Sequence, residues 1–350
     1  MDSLPKSGRF AGKVPEVLAE LLGISRADFD LRPGDPTGAD LIIAAGQTFV
    51  IAFNKSTGAA PIAAVAKGVQ ELARRVRRRA VPLVAVPFMG EVGRRACNEV
   101  GVGWLDLSGN ACIVAPGLRV LVDGRPNRFR AVGRPPNLFA PKSSRIVRWL
   151  LIHPAEHVSQ RELARAIGLD EGFVSRLVAR LVQDDYLVRD AHGAVRPRDP
   201  ALLLDAWRET CPFSKHTLHQ GHVAARSGDT LLRFVTDTLV EQGIEHAATG
   251  LAAAWALTRF AAFRIATVYL PTDPSFALLE RLNCREDPRG ANLWLVVPND
   301  AGVFQGAIKK DGIRCVHPVQ VYVDLKDHPE RATEAAERLR SELLTWRRGD

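Results

Sequence analysis

The stretch that most constrains this chain is Val158-Ser-Gln-Arg-Glu-Leu-Ala-Arg-Ala-Ile-Gly-Leu-Asp-Glu-Gly-Phe-Val-Ser-Arg-Leu-Val-Ala-Arg-Leu181. Ser159 is a helix cap, and Glu162 three residues on completes a capping box. Leu163, Ala166 and Ile167 give that first helix one apolar face. Gly168 supplies a tight turn and Leu169 plugs the corner behind it. Asp170 caps a second helix, on which Phe173, Val174, Leu177, Val178 and Leu181 fall on one side. The opposite side carries Glu171, Gly172, Ser175, Arg176, Ala179 and Arg180. Two short amphipathic helices joined by a glycine corner pack against each other through these apolar faces. The polar, arginine-bearing face is left outward.

The flanks extend the pattern. Upstream, Ser144–His153 reads as a helix with Ile146, Val147, Leu150 and Leu151 inward. Downstream, Tyr186–Arg198 reads as a β-hairpin with its turn near Asp190–Gly193. Three helices and a hairpin at this spacing, over Lys142–Arg198, resemble the winged-helix domains of bacterial transcription regulators. The resemblance implies duplex DNA as partner, with the second motif helix in the major groove and the hairpin on the backbone or minor groove. The expected contacts are Ser144, Arg145, Gln160 and Arg161 around the motif, then Glu171, Gly172, Ser175, Arg176 and Arg180 on the recognition helix. His192, Arg196 and Arg198 are expected on the wing. Arg148 and Arg161 read equally as solvated or as phosphate-facing, and a winged helix that only mediates protein contacts is the competing reading.

Charge supports a nucleic-acid partner without establishing one. The 350 residues carry a net +8. Residues 1–140 hold 19 Lys and Arg against 12 Asp and Glu, residues 141–198 hold 10 against 7, and the remainder 18 against 20. A basic N-terminal part attracts phosphates. Arg74, Arg75, Arg77, Arg78 and Arg79 form a dense run at the end of an expected helix, suited equally to phosphates and to the negative end of the helix dipole. Five widely spread cysteines without a CxxC pair argue against a disulfide framework or a zinc site, and suit a reducing cytosol. No apolar run reaches the ~18 residues of a membrane span, and no signal peptide is expected. The expected location is cytoplasmic.

The length suggests two or three domains, and the chain reads as three blocks: an α/β block at 1–140, the winged helix at 141–198 and a second α/β block at 199–350. In the first, a helix over Pro15–Gly23 ends on a glycine cap. Strands are expected at Ala39–Ala45, Thr48–Phe53, Val81–Pro87 and Ala111–Val114. Helices are expected at Ala59–Arg79 and Glu91–Val100. The proline-rich Gly124–Pro141 reads as a linker. Asp40 on one strand and Lys55 after the next, followed by the helix bearing Gln70, resemble the restriction-endonuclease-like PD-(D/E)xK fold. There, carboxylates hold a divalent metal beside a lysine. The carboxylate expected two residues before Lys55 is Phe53, so the resemblance implies a scaffold rather than a nuclease. Trp104–Cys112 reads as a strand followed by a turn and resembles a DxxGN segment of certain regulators, with Asp106 and Asn110 as turn formers.

In the third block, helices are expected at Asp229–Gln242, Leu251–Phe260, Pro274–Leu282 and Pro329–Trp346. Strands are expected at Ile265–Leu270, Leu293–Pro298 and Val319–Leu325. Thr249–Trp255 and the strand after it resemble a nucleotidyltransferase-like domain, but Val268 and Leu270 stand where that family has its metal-binding aspartates. With the tail Val316–Ala332, the block resembles the AbiEi-type antitoxins of type IV toxin–antitoxin systems, which implies a cognate toxin as a second partner. His216, His219 and His222, spaced every third residue, fit neither one strand face nor an HxxxH helix pair and read as packed or solvated. The expected protein is a DNA-binding regulator that acts as a homodimer on a palindromic site, with no cofactor, no metal, no catalytic residue and no membrane contact. A DNA-binding scaffold in replication, partition or defence, and a metal-dependent nuclease using Asp40 and Lys55, are the alternatives.

Overall fold

A computed structural model describes residues 11–32, 39–55, 59–76, 80–129 and 138–346. The chain divides into two compact units. One comprises Met1–Pro136 with Gln183–Tyr186; the other comprises Asn137–Val182 with Leu187–Asp350.

The first unit opens with α1 (Val14–Leu22), started by Pro15 and closed by Gly23, whose left-handed φ of 67° lets its N–H reach the Ala19 and Glu20 carbonyls. β1 (Asp30–Arg32), β2 (Ala39–Ala44) and β3 (Gln47–Phe53) form an antiparallel meander. Ala45 and Gly46, with φ of 49° and 72°, make the two-residue turn between β2 and β3. α2 (Ala59–Arg75) then crosses to β4 (Ala80–Val86), parallel to β3, and α3 (Glu91–Glu99) to β5 (Gly103–Asp106), parallel to β4. β6 (Ala111–Ala115) and β7 (Leu118–Val122) finish the sheet as antiparallel strands, so the seven strands lie in sequence order.

Both faces of this sheet are covered, which is why β3 and β4 read as continuous apolar runs. On β4, Val84 and Val86 join a cluster with Ile62, Val69 and Cys97 on one face. Leu83 and Ala85 join Leu18, Phe49 and Ile113 on the other. The sequence expectations hold here, with β1 and β7 as additions. Those two strands are short and lie at the sheet edges.

The second unit starts with α4 (Ser144–Ile152), α5 (Gln160–Ile167) and α6 (Glu171–Gln183), followed by the hairpin β8 (Leu187–Arg189) and β9 (Val195–Pro197). α7 (Pro200–Thr210) follows at once, with the Asp199 carboxylate accepting from the backbone of Ala201 and Leu202. The cap and the Pro200 start were legible signals for this helix. Then come β10 (Thr217–His222), α8 (Gly228–Glu241), β11 (Ala247–Thr249), α9 (Gly250–Thr258), β12 (Ala266–Tyr269), α10 (Phe276–Arg281), β13 (Arg285–Glu286) and β14 (Leu293–Val297). β15 (Ile308–Lys310), β16 (Ile313–Cys315), α11 (Pro318–Asp324) and α12 (Ala332–Leu343) complete the unit. Its mixed sheet runs β13-β10-β14-β12-β11-β16-β15.

One element differs in type from the sequence expectation. Val319–Leu325 was expected as a strand and is instead the helix α11. The alternation of Val319, Val321 and Val323 imitates a strand, yet every residue from Pro318 to Asp324 is buried, so no polar face exists for the alternation to mark. His317 caps the helix by accepting from the Val319 N–H, and Pro318 fits its first turn. Helical spacing also puts Gln320 and Asp324 one turn apart, where the Gln320 amide donates to the carboxylate at 2.7 Å.

Candidate nucleic-acid interface

The helix–corner–helix forms as its residues dictate. The Ser159 N–H donates to Glu162 Oε2 at 3.0 Å and the Glu162 N–H to Ser159 Oγ at 3.2 Å, closing the capping box. Gly168 takes φ 63° and ends α5, and Asp170 Oδ1 accepts from the Phe173 N–H at 2.9 Å to begin α6. Leu163, Ile167, Val174, Leu177, Val178 and Leu181 are buried together with Ile146, Val147, Leu150 and Leu151 of α4. Ala164 rather than Ala166 completes the inward face of α5. Val158 exchanges two backbone hydrogen bonds with Val195, adding a third short segment beside the hairpin. The hairpin turn is built on Asp190, whose Oδ1 accepts from the N–H of His192 and Ala194.

Arg161, Glu171, Gly172, Arg176, Arg180, His192 and Arg198 are exposed, and Ser175 and Arg196 are half-buried. Gln160 is also half-buried and braces two elements. With its amide turned to satisfy both ends, it donates to Ser175 Oγ at 2.9 Å and accepts from Arg189 at 3.0 and 3.1 Å. α6 and the wing are thereby joined through one side chain.

Two expected contacts are placed elsewhere. Ser144 is buried and donates to the Pro141 carbonyl at 2.6 Å. Arg145 is gripped by Asp300, Nε to Oδ1 at 2.7 Å and Nη2 to Oδ2 at 2.9 Å, and that carboxylate raises its pKa. Both lie on the first turn of α4, where the residues after 199 pack.

Arg148, open between solvent and phosphate on sequence grounds, is buried at 2% exposure. Its Nε and Nη2 donate to Gln320 Oε1 at 2.9 and 2.8 Å, and its guanidinium lies 5.1 Å from the Trp207 ring. Asp324 in turn accepts from Gln320, from Thr249 Oγ1 at 2.5 Å and from Tyr269 Oη at 3.1 Å. Burial raises the Asp324 carboxyl to about 6 against these hydrogen bonds, and burial lowers Arg148 to about 10. The threonine of the Thr249–Gly250 turn is thus committed to the fold. This polar chain was missed in the sequence. No local sequence signal marks it; in the structure α4 buries six of its nine residues, Arg148 among them.

Of the histidines, His219 meets Asp273 at 2.9 Å, an acid 54 residues away that sequence spacing did not reveal. His216 accepts from the Asn299 N–H at 3.1 Å and faces Tyr269 Oη at 3.2 Å, and His222 is exposed. Among the described residues no group of three or more His, Cys, Asp or Glu is placed to hold a metal.

In the first unit, Arg74 and Arg75 are exposed at the end of α2 and pair with Glu71 at 3.7 and 3.2 Å. Arg77, Arg78 and Arg79 lie outside the described residues. Asp40 and Lys55 are exposed, and the Gln70 amide donates to the Val100 carbonyl. Asp106 is fully buried and accepts from the N–H groups of Met89 and Asn110, and Asn110 binds the backbone of Arg125. These two residues are turn formers.

Residues 139–196 match the model of the MarR family. Residues 198–345 match the family described as transcriptional regulator, AbiEi antitoxin, type IV TA system. No curated protein and no solved structure matches the chain. The corner, the capped recognition helix and the wing, with the first of these matches, define a winged-helix DNA-binding regulator. With the second match, the regulator is one of the AbiEi type. Among the described residues no helix is long and apolar enough to cross a membrane.

Proposed function

We propose that this regulator reads a specific duplex sequence through α6 and represses its own operon from the cytoplasm as a homodimer on a palindromic site. Arg176 and Arg180 contact base edges and neighbouring phosphates, Ser175 and the Glu171–Gly172 start of the helix lie close to the groove floor, and His192, Arg196 and Arg198 reach the backbone from the wing. Gln160 and Arg161 flank that surface. The observation that carries this reading is the polar face of α6. Its arginines are exposed on the side opposite a core that buries Val174, Leu177, Val178 and Leu181, with Phe173 half-buried. Binding of the full-length protein to its own promoter, compared with a scrambled duplex, tests it. Arg176→Ala with Arg180→Ala should abolish the preference, and an unchanged preference would remove α6 from recognition.

The block after residue 198 is proposed to take a cognate toxin, as the matched antitoxin family suggests. The first 140 residues are read as a restriction-endonuclease-like scaffold, and the last block as nucleotidyltransferase-like, both without catalysis. Phe53, Val268 and Leu270 stand where the metal-binding carboxylates of those folds belong. Plasmid incubated with the protein and magnesium or manganese should remain intact. Cleavage that disappears in Asp40→Ala or Lys55→Ala would overturn this.

A further inference from the structure

We propose that Arg145 and Asp300 form a strut that holds the helix-turn-helix corner in the geometry DNA recognition requires, which makes Arg145 a positioning residue and not a phosphate contact. The inference rests on the reading of α6 as the DNA helix.

The guanidinium of Arg145 is used on every edge. Nε and Nη2 grip the two oxygens of Asp300 at 2.7 and 2.9 Å, a bidentate fork. The remaining nitrogen, Nη1, points at the Ile167 carbonyl at 3.5 Å. Ile167 is the last residue of α5, where carbonyls have no partner inside the helix. From there the chain turns through Gly168 and Leu169 into Asp170, the cap of α6. One side chain therefore connects the loop at Asp300 to the corner that aims the recognition helix.

The far end of the strut is fixed. Asp300 is 11% exposed, and its Oδ1 also accepts from the Gly302 N–H at 2.7 Å. Gly302 leaves room for the arrangement, because a Cβ there would lie 2.7 Å from Arg145 Cγ and 2.8 Å from Arg148 Nη1. One turn further along α4, Arg148 anchors the same helix to Gln320. A phosphate contact by Arg145 would leave the Asp300 carboxylate enclosed without its cation, a costly arrangement. A lysine cannot reproduce the fork, since its ammonium is a single point charge.

The test measures binding of the full-length protein to its own promoter and to a scrambled duplex across a salt series. The variants are Arg145→Lys, Arg145→Gln, Asp300→Asn and the double Arg145→Gln/Asp300→Asn. Each single variant should lower the specific-to-scrambled affinity ratio about tenfold, roughly what misaligning one or two base contacts costs. The salt slope should stay unchanged, Lys should not rescue, and the double variant should be no worse than the weaker single. Wild-type specificity in Arg145→Lys would overturn the strut. So would a slope shallower by about 0.9 in Arg145→Gln, the mark of one lost phosphate contact. Tighter binding by Asp300→Asn would show instead that Asp300 withholds a DNA-contacting arginine. Failure of the α6 reading looks different: the wild type then shows no promoter preference, or Arg176→Ala/Arg180→Ala keeps it, and the strut falls with that reading.

Discussion

Replacing Arg148 with methionine should destabilise the second unit by about 2–5 kcal/mol, the sum of a stranded acceptor and a lost cation–π contact. The structure supplies the parts. The change strands Gln320 Oε1, which accepts two hydrogen bonds from the guanidinium at 2.9 and 2.8 Å. An orphaned buried acceptor costs about 1–3 kcal/mol. The cation–π contact with Trp207 at 5.1 Å is lost as well, worth about 1–2 kcal/mol where water is excluded. Gln320 cannot turn to compensate, because its amide nitrogen is committed to Asp324. Urea unfolding monitored by tryptophan fluorescence reads the loss, since Trp207 lies against the site. Adding Gln320→Leu removes the stranded acceptor, so the double variant should recover part of the stability. A loss below about 1 kcal/mol, as for an exposed arginine, or a double variant equal to the sum of the singles, would mean that Arg148 does not anchor Gln320.

Acid should destabilise the second unit between pH 6.5 and 4. Burial lowers His216 and His317 to about 4, with the Arg148 charge adding to both and His153 to the second; each imidazole also accepts a backbone N–H through Nδ1. Their folded pKa values lie below 6.5, so the stability of the neutral form is lost as pH falls through this window, each imidazole costing about 1.4 kcal/mol for every pH unit crossed. Asp324 works in the opposite direction. Its pKa is raised by burial to about 6, so its contribution is full below about 4 and lost as pH rises through 6. A pH series of melting temperatures should show net acid loss that shrinks in His216→Gln. Gly302→Ala should be destabilising by more than the usual few tenths of a kcal/mol for a surface change, because its Cβ would lie 2.6 Å from Asp300 Oδ1; thermal unfolding decides it. Replacing Arg74, Arg75, Arg77, Arg78 and Arg79 with glutamine should weaken promoter binding and make its salt slope shallower while leaving base preference intact; an unchanged slope would remove those arginines from DNA binding.

Local signals made the winged helix legible. Ser159 with Glu162, Gly168, and Asp170 each act on their immediate neighbours, so their positions in the chain suffice to place two helices and a corner. The first sheet was legible for a related reason: its inner strands are covered on both faces and read as apolar runs. What the sequence concealed is long-range pairing. Arg145 finds Asp300 and Arg148 finds Gln320 across more than 150 residues, and nothing local distinguishes these arginines from Arg161, which is exposed. α11 was misread because burial on all sides erases the contrast on which periodicity depends. β1, β7, β13 and β15 escaped notice because two to five residues at a sheet edge carry too little pattern, and the inner strands β10, β11 and β16 because they are polar or only three residues long.

The proposed recognition helix reads bases in the major groove through Arg176 and Arg180. Dimethyl sulfate protection of guanine N7 on the protein's own promoter tests it most directly, since N7 lies on the major-groove edge where arginine pairs with guanine. Wild-type protein should protect guanines in two half-sites about one helical turn apart, and Arg176→Ala/Arg180→Ala should lose that protection at protein concentrations that still coat the duplex. Guanines protected equally by the variant, or no major-groove protection by the wild type on DNA it demonstrably binds, would contradict it.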